Sequence, residues 1–272
     1  MVHPVAEQQR EVAAAFDIAA IDYDDQWTRS VSGRLQREQI WRELERFFLP
    51  GHKILDLGCG TGVDAVRLAR VGARVLAIDI SPQMVRRTRQ RVESENLSEG
   101  VTCELLALEN LGDLKNRGFF DGAISDFGVL NCVGDLRQVA RDLGALLRPG
   151  AHLALCYMGR FCLWETAWFL LHGKPGKAFR RLGARTKASF SAARAFEVFY
   201  PSVREIIEAF KENFRLVSWR GVGIFVPPSY VEPLAPSFQR GFRRLAWFDH
   251  IAGGWAIVRA VGDHRLLVFV RN

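Results

Sequence analysis

Ile54-Leu55-Asp56-Leu57-Gly58-Cys59-Gly60-Thr61-Gly62 is an apolar run that opens into a loop with glycine at every second position. A helical pattern, Asp64-Ala65-Val66-Arg67-Leu68-Ala69, follows at once, and a second apolar run, Val75-Leu76-Ala77-Ile78, ends in the carboxylate of Asp79. Strand, loop, helix and acid-tipped strand in this order place a nucleotide-type pocket at the carboxyl ends of two adjacent parallel strands. In the dinucleotide fingerprint a third glycine or alanine lets helix and strand pack closely, and that position here is Val63. The glycines instead follow an Asp-x-Gly-x-Gly-x-Gly order. The plainer alternative is a tight strand-to-helix turn without a ligand.

That order resembles motif I of the class I S-adenosylmethionine (SAM) dependent methyltransferases, and Asp79 resembles the acid at the end of their second strand. The resemblance implies bare backbone at Gly58, Cys59, Gly60 and Gly62 close to the ligand's amino-acid end, because glycine lacks a Cβ. It implies that Asp79 offers two acceptor oxygens to the ribose hydroxyls, and that Asp56 helps hold the ammonium group through the loop. Many relatives carry an aspartate after strand three that reaches the adenine amino group. This chain has alanine there, so Ala107, Leu108 and Glu109 are expected to recognise adenine largely through backbone. Ile80, Met84 and Asp126 complete the expected cofactor set. Phe16-Asp17…Ala20…Tyr23-Asp24 resembles the amino-terminal lid of the ubiquinone/menaquinone methyltransferase-like group, in which the tyrosine covers the cofactor. Docking of Phe16 and Tyr23 on the core is the other reading.

The chain has 272 residues, 49% apolar and 25% charged, enough for one larger domain or a domain with an insertion. No run of eighteen apolar residues suggests a membrane span, and the amino terminus lacks a secretory layout. Five cysteines without a Cys-x-x-Cys spacing read as reduced buried thiols in a cytoplasmic protein, with no metal set. The net charge of +7 is uneven: residues 1–150 hold 19 Lys+Arg against 22 Asp+Glu, and the remainder holds 18 against 8. The basic excess lies away from the glycine loop.

Apolar spacing predicts helices over Glu7–Tyr23 and Ser32–Phe48, then alternating strands and helices. Strands are expected at 53–57, 74–79, 101–106, 119–125, 151–157, 214–219 and 265–270. Ser81-Pro82 opens a helix with an N-cap serine and a proline in its first turn. The expected fold is α/β, a Rossmann-like seven-stranded, mostly parallel sheet, in the family's order 3-2-1-4-5-7-6. Four parts are expected: a helical lid (1–50), a SAM-binding core (51–157), a basic, aromatic helical insertion after strand five (158–200), and a segment completing the sheet (201–272). The last carries a second insertion with Pro227-Pro228-Ser229-Tyr230 and a helix around Phe238–Phe248.

Methyl transfer from a sulfonium is an in-line displacement, achievable by proximity alone, and no catalytic residue stands out. Asp126-Phe127-Gly128-Val129 lacks the prolines of exocyclic-amine methylases, and Cys132 follows Asn131 rather than proline, so a packed thiol is its expected state. Asn131, Tyr157, Trp164 and Tyr200 are expected to face the acceptor. General-base candidates are His172, His250, His264, Tyr157, Tyr200, Tyr230 and Glu165, with His264 expected to be structural. The insertion reads as a lid over an apolar or lipid-like acceptor, as a surface touching membrane through residues 160–194, or as a solvated cap. The expectation is a methyltransferase for a small apolar or aromatic metabolite. The rivals are an RNA-modifying enzyme, disfavoured because no RNA-binding module accompanies the charge, and a non-catalytic partner-binding protein. Acceptor atom and oligomeric state are open at this point.

Overall fold

The computed structural model describes residues 4–191, 194–229 and 239–272. Five parallel strands form the centre: β1 (Lys53–Leu57), β2 (Arg74–Asp79), β3 (Val101–Leu105), β4 (Phe120–Ser125) and β5 (Leu147–Met158). A hairpin, β6 (Arg185–Ser191) and β7 (Arg194–Phe199), stands apart as its own two-stranded sheet. β8 (Phe214–Val222) and β9 (His264–Arg271) complete the main sheet, in the order β3-β2-β1-β4-β5-β9-β8 with β9 antiparallel to both neighbours. With the hairpin set aside this is the expected order. The register Leu57↔Ile78 and Asp79↔Leu105 brings the strand ends level, so the glycine loop, Asp79 and the segment after β3 share one rim.

Alternation along β1 divides its side chains between two layers. Leu55 and Leu57 face a core built with Val139, Ala140 and Leu143 of α5 (Leu136–Leu146) and Phe210 of α8 (Val203–Phe210). Ile54 faces the opposite core, with Ile40 and Leu44 of α2 (Val31–Leu44) and Ala65, Val66 and Leu68 of α3 (Val63–Arg70). Asp56 therefore lies on the α2–α3 side. α4 (Pro82–Ser94) begins as its sequence demands: the Ser81 hydroxyl accepts the Met84 amide at 3.1 Å, with Pro82 in the first turn.

The peripheral elements depart from expectation. α1 (Pro4–Ala19) stops four residues early, and Tyr23 leads into a π-helical turn, Asp24–Thr28. β5 begins at Leu147, four residues before the expected start at 151, and takes in Arg148-Pro149-Gly150 at a break in the pairing with β4. The insertion after β5 is helical only in its first half, with α6 (Leu163–Leu171), α7 (Pro175–Ala178) and a 3-10 turn at Arg180–Gly183; its second half is the β6–β7 hairpin. Phe196, Val198 and Tyr200 from the hairpin arm bury against Val12 and Ala15 of α1 in a third core. Burial of each large side chain there is worth about 1.5 to 3 kcal/mol, enough to hold two elements distant in sequence over the sheet rim. α9 (Gln239–Ala252) packs on α2; Tyr230 and Phe238 lie outside the described residues.

Candidate active site

A cavity of about 840 Å³ opens at the rim, lined by Gly58, Cys59, Gly60, Thr61, Asp79, Ile80, Met84, Leu108, Glu109 and Asp126, with Tyr23, Arg37 and Phe127 above them. Two loop glycines serve different ends. Gly60 (φ +54°) has nothing within 4 Å of where a Cβ would stand. Gly62 (φ +81°) caps α3, and a Cβ there would meet the Thr88 side chain at 2.7 Å. Gly62 thus serves packing against α4 and does not line the cavity, and Ala107 does not line it either.

Asp79 accepts the Gly60 amide at 2.9 Å and the Ser81 amide at 2.8 Å. A carboxylate has about four lone-pair sites, so capacity remains for two hydroxyls. Burial pushes its carboxyl up to about 6, against the pull of those two amides. Asp126 is 8% exposed, and neither of its oxygens has a hydrogen-bond partner among the described residues. Asp56 is buried beneath the loop, outside the cavity lining, with Oδ2 likewise unpartnered. Burial holds the carboxyls of both Asp56 and Asp126 well above the ordinary carboxylate range, and Asp64 adds to the effect. The compensating charge is Arg37 of α2, which pairs with Asp64 and lies over the Phe127 ring at 4.4 Å. Trp41 Nε1 donates to the second Asp64 oxygen at 2.7 Å. Three buried acids around one guanidinium, with Asp79 on the same rim, unpartnered oxygens on Asp56 and Asp126 and open space at Gly60, fit a ligand bearing positive charges and hydroxyls. SAM, with its ammonium, sulfonium and ribose, has that chemistry.

The lid is tied down by polar contacts. Asp24 accepts the Thr61 hydroxyl at 2.7 Å and pairs with Arg91 at 2.5 Å. Tyr23 packs at a tilt against Trp27 with ring centroids 4.9 Å apart, and burial pushes its phenol up to about 12. Gln9 of α1 donates to Glu109 at 3.3 Å.

A second cavity, about 1430 Å³, adjoins the first; Phe16, Tyr23, Arg37, Phe127 and Cys132 line both. Phe127 holds this shared wall in a left-handed conformation (φ 49°), a strain of about 1 to 2 kcal/mol for a non-glycine residue. Trp27, Phe196, Val198 and Tyr200 give the second cavity apolar walls, and Glu165, Arg180, Arg181, Asp263 and His264 give it a polar end. Arg181 joins Glu165 (2.6 Å) to Asp263 (2.9 Å).

Of the four expected acceptor contacts, Tyr200 alone lines this cavity. Asn131 is fully buried and spent on backbone: Nδ2 donates to the Met158 and Phe199 carbonyls at 3.0 and 2.6 Å, and Oδ1 accepts the Met158 amide at 2.8 Å. Tyr157 sits wholly in the α5–α8 core. Trp164 donates from Nε1 to the Phe225 carbonyl at 3.2 Å, outside both cavities. Strand alternation and helical phase turn these three away. His172 packs at a tilt against Trp168 at the surface and His250 is exposed. The Cys132 thiol is pushed up to about 12 by burial, which leaves it protonated. Among the described residues, no group of three or more His, Cys, Asp or Glu side chains is placed to hold a metal ion.

This fold and rim define the class of SAM-binding α/β proteins. The chain belongs to the methyltransferase domain family, whose pattern matches residues 49–194. It is 33% identical over 220 residues to a demethylmenaquinone methyltransferase of Mycobacterium marinum, spanning 78% of this chain and 89% of that protein. It is 36% identical over 115 residues to a ubiquinone biosynthesis O-methyltransferase of Xanthomonas campestris, which covers 42% of this chain but only 46% of that protein. Among solved structures it resembles the DhpI–SAH complex (TM-score 0.61, 13% identity, 100% and 99% of the two chains). It also resembles magnesium protoporphyrin IX methyltransferase from Synechocystis with bound SAH (0.58, 17%, 97% and 100%). At such identities these two likenesses speak to the fold.

Proposed function

We propose that this protein transfers the methyl group of SAM to a small, apolar or aromatic acceptor held in the second cavity. The observation that carries this reading is the pair of adjoining cavities, one over the glycine loop and one with apolar walls, that meet at Phe127. SAM supplies an electrophilic methyl carbon on a charged sulfur. The chain's own contribution is placement: Asp79 and the Gly60 backbone orient the cofactor, Asp126 offers two buried oxygens without other partners among the described residues, and Phe16, Tyr23 and Phe127 exclude water where the cavities join. An aromatic-walled cavity suits a compact metabolite better than an RNA strand, whose phosphates favour an open basic groove. The test is incubation of the protein with methyl-labelled SAM and a small-molecule extract, followed by mass spectrometry. A labelled metabolite that depends on the protein supports the reading; label found only in RNA, or nowhere, would sink it.

A second reading concerns the insertion's outer surface. Leu170, Leu171, Phe179 and Leu182 are exposed beside Lys174 and Lys177, a combination suited to an anionic membrane surface that delivers a lipid-like acceptor. Flotation with phosphatidylglycerol vesicles checks it: Leu171→Glu should reduce co-flotation, and equal flotation of both proteins counts against it.

A further inference from the structure

His264 opens β9 and is 8% exposed, yet it lines the acceptor cavity. Its ring stands edge-on to Phe127, one of the residues common to both cavities, with centroids 5.3 Å apart. Its Nδ1 lies 3.4 Å from Asp263 Oδ2 and has no hydrogen-bond partner among the described residues. Asp263 is held in turn by Arg181, through Oδ1 at 2.9 Å and its carbonyl at 3.2 Å. A base, a carboxylate next to it and a group that fixes the carboxylate therefore stand together beside the junction of the cavities.

We propose that His264 is the proton acceptor for methyl transfer, oriented by Asp263, and that the acceptor is an aromatic hydroxyl. The proposal rests on the function given above and deepens it. With Nδ1 turned to Asp263, the opposite nitrogen, Nε2, is left for the acceptor. The groups acting on the ring are its chain neighbours Asp263 and Arg265, and Arg181 and Arg37 from two other places in the chain. Burial first, and then the three guanidiniums, hold the imidazole below its ordinary value despite Asp263, so it is neutral at neutral pH. Asp263 lies below the usual carboxylate range: burial opposes this, but the charge and hydrogen bond of Arg181, with Arg265 beside it, hold it there when the ring is neutral.

Arg37 and Arg181, which line the cavity, favour an oxyanion forming at the acceptor and disfavour a cationic ammonium. Phe16, Trp27, Phe127 and Phe196 offer faces for a flat ring. In the step, the hydroxyl proton passes to Nε2 and an oxygen lone pair forms the new O–CH3 bond. The carbon–sulfur bond breaks with its electron pair remaining on sulfur, which leaves the neutral thioether. Asp263 balances the imidazolium until its proton passes to water.

The test uses the full chain with SAH and with 4-octylcatechol as probe acceptor. Imidazole nitrogen resonances of the SAH-bound protein, assigned by their loss in His264→Gln, should show a neutral ring protonated at Nδ1 at neutral pH. A charged ring, or a proton on Nε2, would overturn the proposal. In turnover with SAM and the catechol, His264→Gln should lose about 100-fold in kcat with cofactor affinity unchanged, and added imidazole should restore part of the rate to His264→Ala. Undiminished kcat in His264→Gln would overturn the role of the histidine. A wild-type protein that binds SAH but never methylates the catechol would overturn the hydroxyl assignment. Failure to bind SAH at all would instead strike the function on which the proposal rests.

Discussion

Asp17 on α1 accepts a hydrogen bond from the Ser81 hydroxyl at 2.5 Å and another from the Gln83 amide at 3.0 Å. One carboxylate thus closes the amino-terminal lid onto the first turn of α4, where the helix's free amides favour negative charge. Asp17→Ala should lower stability by about 1 to 2 kcal/mol and increase amide exchange along α1. Its affinity for SAH should fall as well, because the lid roofs the cofactor cavity. Calorimetry and hydrogen exchange check the three effects, and unchanged exchange in α1 would show that the contact is idle.

Proton linkage at Asp79 has opposite signs for folding and for binding. Its folded value, about 6, exceeds that of an unfolded aspartate because burial disfavours charge. The native state then holds the extra proton, and this group's contribution to stability declines as pH rises from about 4 to about 6. The charged form is the better acceptor for hydroxyls, so SAH affinity should rise over the same range. Titrations from acid to neutral pH should show that rise in wild type and a flatter profile in Asp79→Asn.

Substitution should separate the two loop glycines. Gly60→Ala meets open space at the cavity mouth, so the protein should fold and lose cofactor affinity. Its strain is that of a positive φ, about 1 kcal/mol. Gly62→Ala drives a Cβ into Thr88 and should lower the melting temperature more steeply. Thermal melts with and without SAH distinguish the cases.

Arg37→Met should cost about 3 to 5 kcal/mol at neutral pH, because it leaves buried acids without their guanidinium. The loss should shrink in acid, where the Asp126 carboxyl, which burial already holds above the ordinary range, is neutral. Urea denaturation at two pH values measures the difference, and an equal loss at both would exclude a charge-balancing role.

Asn131→Ala should destabilise by about 2 to 4 kcal/mol, since it strands two carbonyls and an amide in the interior. SAH affinity of the folded fraction should be unchanged. A variant of full stability with altered affinity would return Asn131 to the site.

The cofactor rim was legible because it is local. Glycine spacing, Asp79 and the Ser81-Pro82 cap sit within thirty residues, and parallel register brings them level. The roof was not, since it is assembled across long gaps in the chain. Helical periodicity shows that α2 buries one face, but not that Arg37 reaches past it to Asp64 and Phe127. The hairpin was read as helix because abundant aromatic and basic residues suit an amphipathic helix equally well. The alternation Thr186, Ala188 and then Phe196, Val198 was the overlooked sign of strands. His264 looked structural as the first residue of a terminal strand. Only the seating of β9 beside β5 brings it next to Phe127.

The most direct measurement is a crystal structure of the protein grown with SAH. The account predicts the ribose hydroxyls on Asp79, the amino-acid end over Gly58–Gly60, and the sulfur facing the Phe127 wall. Ligand bound elsewhere, or the rim cavity empty at saturating SAH, would contradict it.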